Sequence, residues 1–333
     1  MDLLTNFKFM ITLFYGVTSV ALYATVTTFI FAKNNANFKG SFFKLFAVGF
    51  FMNIWTYGNS FVTLRVPQNT PKTGYFAQFF WEHNRTNLDV RFPLSFFHMF
   101  HFHFAYTQYL FNALMCWNRA MVVFFPLKSE NFWRRYLIPI VLILFLTPFL
   151  TTSQIFLHHS YYEYSVDSDY FSINTTYGKA SIYKYLMPTL IILTVLNIVI
   201  NVMTFIRMVC MNTYGHRILE MNLLIMSFCV FLVDFFLSAL SVFNYLVSNS
   251  MSTLELFWET DTIKYYNVRT QILTPFASDF LTFSHPWLLV IFSRQIREKL
   301  LQFICCCIVK KKNGSGTGTG TVMVKRGSRS AWD

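Results

Sequence analysis

The sequence predicts an all-α membrane protein: a seven-transmembrane-helix bundle, N-terminus outside, with a short cytosolic amphipathic helix after the seventh span. Three observations carry that prediction. Only 13% of the 333 residues are charged and 54% are hydrophobic, whereas a soluble domain carries about 25% charged residues. The apolar residues gather in seven stretches, 9–32, 45–64, 93–118, 137–157, 185–206, 221–247 and 270–293, which make up about half the chain. The first five hold no charge and the last two hold one acid each. Each meets the ~20 residues that cross a ~30 Å hydrocarbon layer at ~1.5 Å per residue. The remaining charges sort by side. Alternate loops and the C-terminal tail collect 18 of the 27 Lys and Arg against four acids, a balance of +14, while the opposite side holds nine of each sign. Basic loops stay in the cytosol, so the N-terminus is placed outside. The net charge of +12 is thereby read as a topology signal, and nucleic acid is excluded as a partner.

The elements follow in order. The first span exceeds the apolar region of a cleaved signal peptide and lacks a small-residue cleavage site after it, so it is expected to remain as an anchor helix. The N-glycosylation sequons Asn84-Arg85-Thr86 and Asn174-Thr175-Thr176 fall in loops assigned outside. Pro139 and Pro148 in the fourth span, Pro188 in the fifth and Pro286 in the seventh mark expected helix interruptions. Past the seventh span, Ile296, Leu300 and Ile304 recur four apart, which predicts an amphipathic helix over 294–308 on the inner leaflet. Cys305, Cys306 and Cys307 close it as candidate lipidation sites, and Lys310, Lys311 and Lys312 follow near anionic headgroups. Residues 1–308 thus form one membrane domain. Residues 309–333, with Gly alternating with Ser or Thr from Gly314 to Thr321, are expected to be disordered. The other three cysteines lie within or at the ends of spans and the outer loops contain none, so no disulfide framework is expected.

Chemistry is expected at few positions. An acid inside a membrane is costly enough to suggest a function, which singles out Asp234 in the sixth span and Asp279 in the seventh. Asp279 is expected either to face a ligand cavity or to pair with Gln108 or Asn112 of the third span. Depth alone adds Tyr106, Gln108, Asn112, Asn244 and Tyr245 to Asp279 as ligand-cavity candidates. His98, His101 and His103 share no single helix face, because His103 falls about 140° around the helix from His98. With no acidic partner beside them, no metal site, cofactor or enzymatic activity is expected. A small-solute transporter or channel is the alternative reading, and it would call for internal repeats and a continuous polar path, of which the sequence shows no obvious sign.

The inner end of the third span reads Asn118-Arg119-Ala120, with Pro126-Leu127 seven residues beyond the arginine. This resembles the rhodopsin-like seven-helix receptors, with Asn118 where the usual acid would stand. A narrower resemblance covers the layout of nearly the whole chain. His103-Phe104-Ala105-Tyr106, Cys116-Trp117-Asn118-Arg119, Phe124-Phe125-Pro126-Leu127, Ser284-His285-Pro286-Trp287-Leu288-Leu289 and Arg294-Gln295-Ile296-Arg297 are similar to the nematode serpentine chemoreceptors of the class gamma family. The resemblance implies a chemosensory receptor in the plasma membrane, by analogy in a sensory cilium, that detects a small external ligand. It also implies coupling to a heterotrimeric G protein through Arg119, Pro126 and Leu127. The seventh span lacks a lysine, which argues against a retinal photoreceptor.

Overall fold

A computed structural model describes residues 3–31, 40–86, 93–166, 169–210, 217–249 and 260–313; side chains at 3–8, 179–180, 217–224, 244, 246–249, 260–275 and 304–313 fall outside the description. Two units are distinguished, Met1–Ser293 and Arg294–Asp333. The first is built on long helices: α1 (Leu3–Phe31), α2 (Ser41–Ser60), α5 (Leu94–Phe124), α6 (Pro126–Leu146), α7 (Phe149–Leu157), α8 (Lys179–Cys210), α9 (Arg217–Asn249) and α10 (Thr260–Phe292). α2 runs through a π-helical turn, Phe61–Arg65, into the short α3 (Val66–Gln68), and α4 (Ala77–Glu82) follows. The second unit contributes α11 (Arg294–Asn313), which runs five residues past the expected boundary at 308 and carries an Arg294–Glu298 pair (2.7 Å) along its surface.

Each apolar stretch of the sequence lies largely within a helix. Among the described residues, four segments are long and apolar enough to cross a membrane by length and composition: Phe9–Phe31, Pro126–Leu157, Ser181–Cys210 and Ile225–Phe243; Phe276–Phe292 is a shorter apolar helix. α5 is 31 residues long and carries polar His, Gln and Asn side chains among its apolar ones, and 19 of its residues are buried. It packs against α2, α6, α7, α8 and α9, while α1, α2, α6, α7, α8, α9 and α10 touch in succession and α10 returns to α1. A helix enclosed by neighbours escapes the cost that lipid imposes on polar groups. The burial pattern is the reverse of a soluble protein's. Asn53, Thr107, Gln108, Asn112, Asn118 and Asp234 are buried, while Ile138, Leu142, Ile192, Val195, Phe205 and Phe236 are exposed. An outward face of that composition suits hydrocarbon, and in water it would be a large exposed apolar patch.

Of the four expected proline interruptions, only Pro148 coincides with a break, between α6 and α7. Pro139, Pro188 and Pro286 sit inside continuous helix. A proline removes one ladder hydrogen bond, and packed neighbours and local Ser or Thr hydroxyls can re-satisfy the freed group. At the break itself, Thr147 Oγ1 donates to the Ile143 carbonyl (2.7 Å) and Thr152 Oγ1 to that of Pro148 (2.9 Å).

The segment between α7 and α8, expected to be a loop, forms an antiparallel hairpin. β1 (Ser160–Ser165) pairs with β2 (Tyr170–Thr175) in the register Ser160↔Thr175 to Ser165↔Tyr170. Asp169 turns the corner with φ 47°, a conformation Asp tolerates better than most residues. Tyr162, Phe171 and Ile173 pack with Ala77, Phe80 and Leu94. No cysteine ties this hairpin to α5; hydrogen bonds do so instead. Ser95 Oγ donates to the His158 carbonyl (2.8 Å) and accepts from Ser160 N–H (3.1 Å), and His98 Nδ1 lies 3.1 Å from Ser160 Oγ. Tyr164 Oη (2.6 Å) and then Lys72 N–H (3.0 Å) donate to Asp169 and hold its carboxyl below its usual range.

A buried polar column along the central helix

The candidate site follows one face of α5. Near its N-terminal end the three histidines take separate partners. His98 meets Ser160, His101 Nδ1 lies 3.4 Å from Thr63 Oγ1, and His103 packs its ring 4.1 Å from that of Phe149. No group of three or more metal-ligating side chains occurs among the described residues. Gln108 Nε2 donates to Asn53 Oδ1 (3.2 Å) and to Thr282 Oγ1 (3.1 Å), which joins α5 to α2 and α10. One turn inward, Asn112 Nδ2 donates to Asp234 Oδ1 (2.8 Å), so α9's buried acid is held by α5. Burial of an acid without such a donor would cost several kcal/mol.

Asp279 does not pair with Gln108 or Asn112. It forms an ion pair with Arg65, and the two side chains are 4% and 6% exposed. The wider π turn redirects the residues that follow it, and here it ends on Arg65. Arg65 Nε donates to Ser60 Oγ (2.7 Å) and its guanidinium stacks 4.3 Å over the Tyr57 ring. Arg65 Nη1 and Asp279 Oδ2 are buried with no partner among the described residues. Arg65, Asn53, Tyr57 and Thr282 are site residues that the sequence reading missed. Arg65 had one signal, a base directly abutting a charge-free stretch, and it was counted with the outer loop.

The remaining cavity candidates separate. Tyr106 lies in an apolar cluster with Met99, Phe102, Tyr109, Ile155 and Leu190, and Tyr245 packs against it. The side chain of Asn244 lies outside the described residues. Gln108 and Asp279 are close neighbours in the column, since Thr282 follows Asp279 by one turn on α10.

Toward the C-terminal end of α5, Asn118 Nδ2 donates to Ser41 Oγ (2.9 Å), the first residue of α2. Glu130 of α6 accepts from Ser41 N–H (3.3 Å) and lies 4.0 Å from Lys44 Nζ. Gly40, the residue before α2, offers no side-chain cap, so Glu130 supplies the acceptor and the negative charge that a helix N-terminus favours. Arg119 is 8% exposed, stacks 3.9 Å over the Phe42 ring and has Nη2 unpartnered among the described residues. Pro126 opens α6, with Leu127 90% exposed and Phe125 53% exposed beside it.

The sequons at Asn84 and Asn174 lie near each other. His83, adjacent to Asn84, accepts a hydrogen bond from Tyr162 N–H of the hairpin that contains Asn174 (2.9 Å). The side chains of Cys305, Cys306 and Cys307 lie outside the described residues.

Apolar outer faces around a polar column are the marks of a helical membrane protein. The chain belongs to the Srg family of chemoreceptors, whose family model matches residues 9–300. It is similar to serpentine receptor class gamma-31 of Caenorhabditis elegans, with 26% identity over 286 residues covering 86% of this chain and 88% of that protein. It is also similar to serpentine receptor class gamma-9 of the same organism, 24% identical over 320 residues, 93% of this chain and 87% of that one. The class gamma resemblance read from the sequence is borne out.

Proposed function

We propose that the chain is a seven-span chemosensory receptor of the plasma membrane, N-terminus outside and tail in the cytosol, that couples a small external ligand to a heterotrimeric G protein. The ligand acts on the outer half of the column, where Asp279, Gln108 and Asn112 join α10, α5 and α9, with Tyr106, Tyr245 and Asn244 nearby. Ligand binding favours one of two helix packings. At the other end the change releases Arg119 from Phe42. The observation that carries the reading is the inner end of α5: a buried arginine with a free guanidinium nitrogen, beside exposed Phe125 and Leu127 and exposed Lys128, Arg134 and Arg135. An apolar protrusion ringed by basic groups suits a protein partner with an acidic rim.

With Asn118 in place of the acid, no carboxylate among the described residues pairs with Arg119, and α2 restrains it instead. Asn84 and Asn174 carry glycans outside, and Cys305, Cys306 and Cys307 carry acyl chains that pin the last helix to the inner leaflet. The expected result is that Arg119→Ala reaches the surface and binds ligand normally but no longer activates the G protein. Normal activation by that variant would refute the assignment.

A further inference from the structure

An apolar groove lies on the far side of α5's contact with α8 and α9 from Asp279 and Gln108. Between α8 and α9, this groove of about 610 Å³ is walled by Val202 and Phe205 on one side and by Phe228, Phe231 and Phe235 on the other. Asn201 is the one polar side chain among the described residues lining it. Asn201 Nδ2 is committed, donating to the Asn197 carbonyl (2.9 Å) and to Cys116 Sγ (3.5 Å). Its Oδ1 accepts no hydrogen bond among the described residues. A bare amide acceptor on an apolar wall is costly to leave unmatched where water is absent.

We propose that this groove binds an apolar molecule carrying one hydroxyl group, drawn from the bilayer, with the hydroxyl donating to Asn201 Oδ1. Three features select that occupant. Exposed Val199, Met203 and Ile206 on α8 and Phe236 on α9 give the flanking surface the character of hydrocarbon solvent, so the occupant arrives from lipid. The volume lies within the ~300–1,000 Å³ of small-molecule sites. A partner helix is disfavoured, because helices in membranes approach through small residues and the described residues lining the groove are Phe, Ile, Leu, Val and Asn. Thr194 Oγ1 donates to Ser238 Oγ (3.3 Å) about one turn beyond the groove, holding α8 and α9 together there. Asn201 also touches the central helix through Cys116, whose Sγ lies 3.6 Å from Ser227 Oγ of α9 and which stands three residues before Arg119. Occupancy therefore bears on the packing of α5, α8 and α9 whatever ligand the outer column takes.

The test uses the full chain in lipid nanodiscs and two photoreactive probes, a diazirine-bearing hexadecanol and the matching hexadecane. A net hydrogen bond of ~1 kcal/mol predicts about fivefold stronger labelling of the α9 peptide 225–235 by the alcohol. Asn201→Ala is expected to reduce alcohol labelling to the alkane level and leave the alkane signal unchanged, which also shows that the groove still forms. Leu232→Trp, which fills the groove, is expected to reduce both. Equal labelling of the unsubstituted protein by the two probes would overturn the proposal and needs no variant to interpret. So would alcohol labelling that survives both substitutions.

Discussion

Replacing Asp279 with Leu strips Arg65 of its counter-charge inside the bundle. Both side chains are almost fully buried, so the solvent screening that makes surface pairs worth under ~1 kcal/mol does not apply. Removing one member of a buried pair costs about 3–5 kcal/mol, because the survivor keeps its desolvation penalty. Arg65 retains its bond to Ser60 Oγ and its stack on Tyr57, the latter worth up to ~2 kcal/mol when desolvated. The expected loss for Asp279→Leu is therefore near the lower bound, about 3 kcal/mol. Arg65→Met removes the same pair together with those two contacts and should cost at least as much. The double variant Arg65→Met/Asp279→Leu buries no charge and should return to within about 2 kcal/mol of the starting protein, since apolar replacement of buried pairs is often neutral. The assay is reversible unfolding of the full chain in mixed micelles across this double-mutant cycle. The expected coupling energy is about 4 kcal/mol or more; additive single effects, with coupling below ~0.5 kcal/mol, would refute it.

Three further outcomes are expected. Asn118→Ala loses the bond to Ser41; at ~1 kcal/mol this should raise ligand-free nucleotide exchange on the G protein about fivefold, with Ser41→Ala giving the same increase and the pair no more. A methyl group at Gly16 would collide with the Tyr57 hydroxyl, whereas one at Gly58 meets nothing within 4 Å. Thermal unfolding should show Gly16→Ala destabilised by about 1–3 kcal/mol and Gly58→Ala little changed. Asp169 has a depressed folded-state pKa, so its contribution to the hairpin turn is present above the unfolded value near ~3.9 and is lost as pH falls through the lower folded value. Amide exchange at Lys72 should accelerate in that acid range, and Asp169→Asn should abolish the pH dependence.

The helices were legible because hydropathy is a local property. Charge-free runs long enough to cross a bilayer fall within helices, and only their ends and breaks differ from expectation. The hairpin was missed although its pattern is present: Ser160–Ser165 and Tyr170–Thr175 are rich in Tyr and Phe and flank Val-Asp-Ser-Asp. A reading organised around spans treats whatever joins them as loop. Arg65 was misplaced for a related reason. Counting charges to find span ends assigns every base outside, and a π turn that carries one inward leaves no mark on composition. Its partner is 214 residues away, and Asp234 meets Asn112 across 122. The sequence names the costly acids but not the chain segments that neutralise them. Asn118 shows the opposite case: its departure from the receptor pattern was plain, while its bond to Ser41 emerged only from the packing of α5 on α2.

The account turns on one claim, that an external ligand changes the packing of this column and exposes Arg119 to a G protein. The direct measurement is ligand-stimulated binding of a non-hydrolysable GTP analogue in vesicles containing the full chain and a heterotrimeric G protein, screened against a panel of small volatile and water-soluble compounds. The account predicts that an active compound raises nucleotide binding in the unsubstituted protein and leaves the Arg119→Ala vesicles at baseline. Compound-dependent solute flux in vesicles without any G protein, with no stimulated nucleotide binding when one is added, would contradict it.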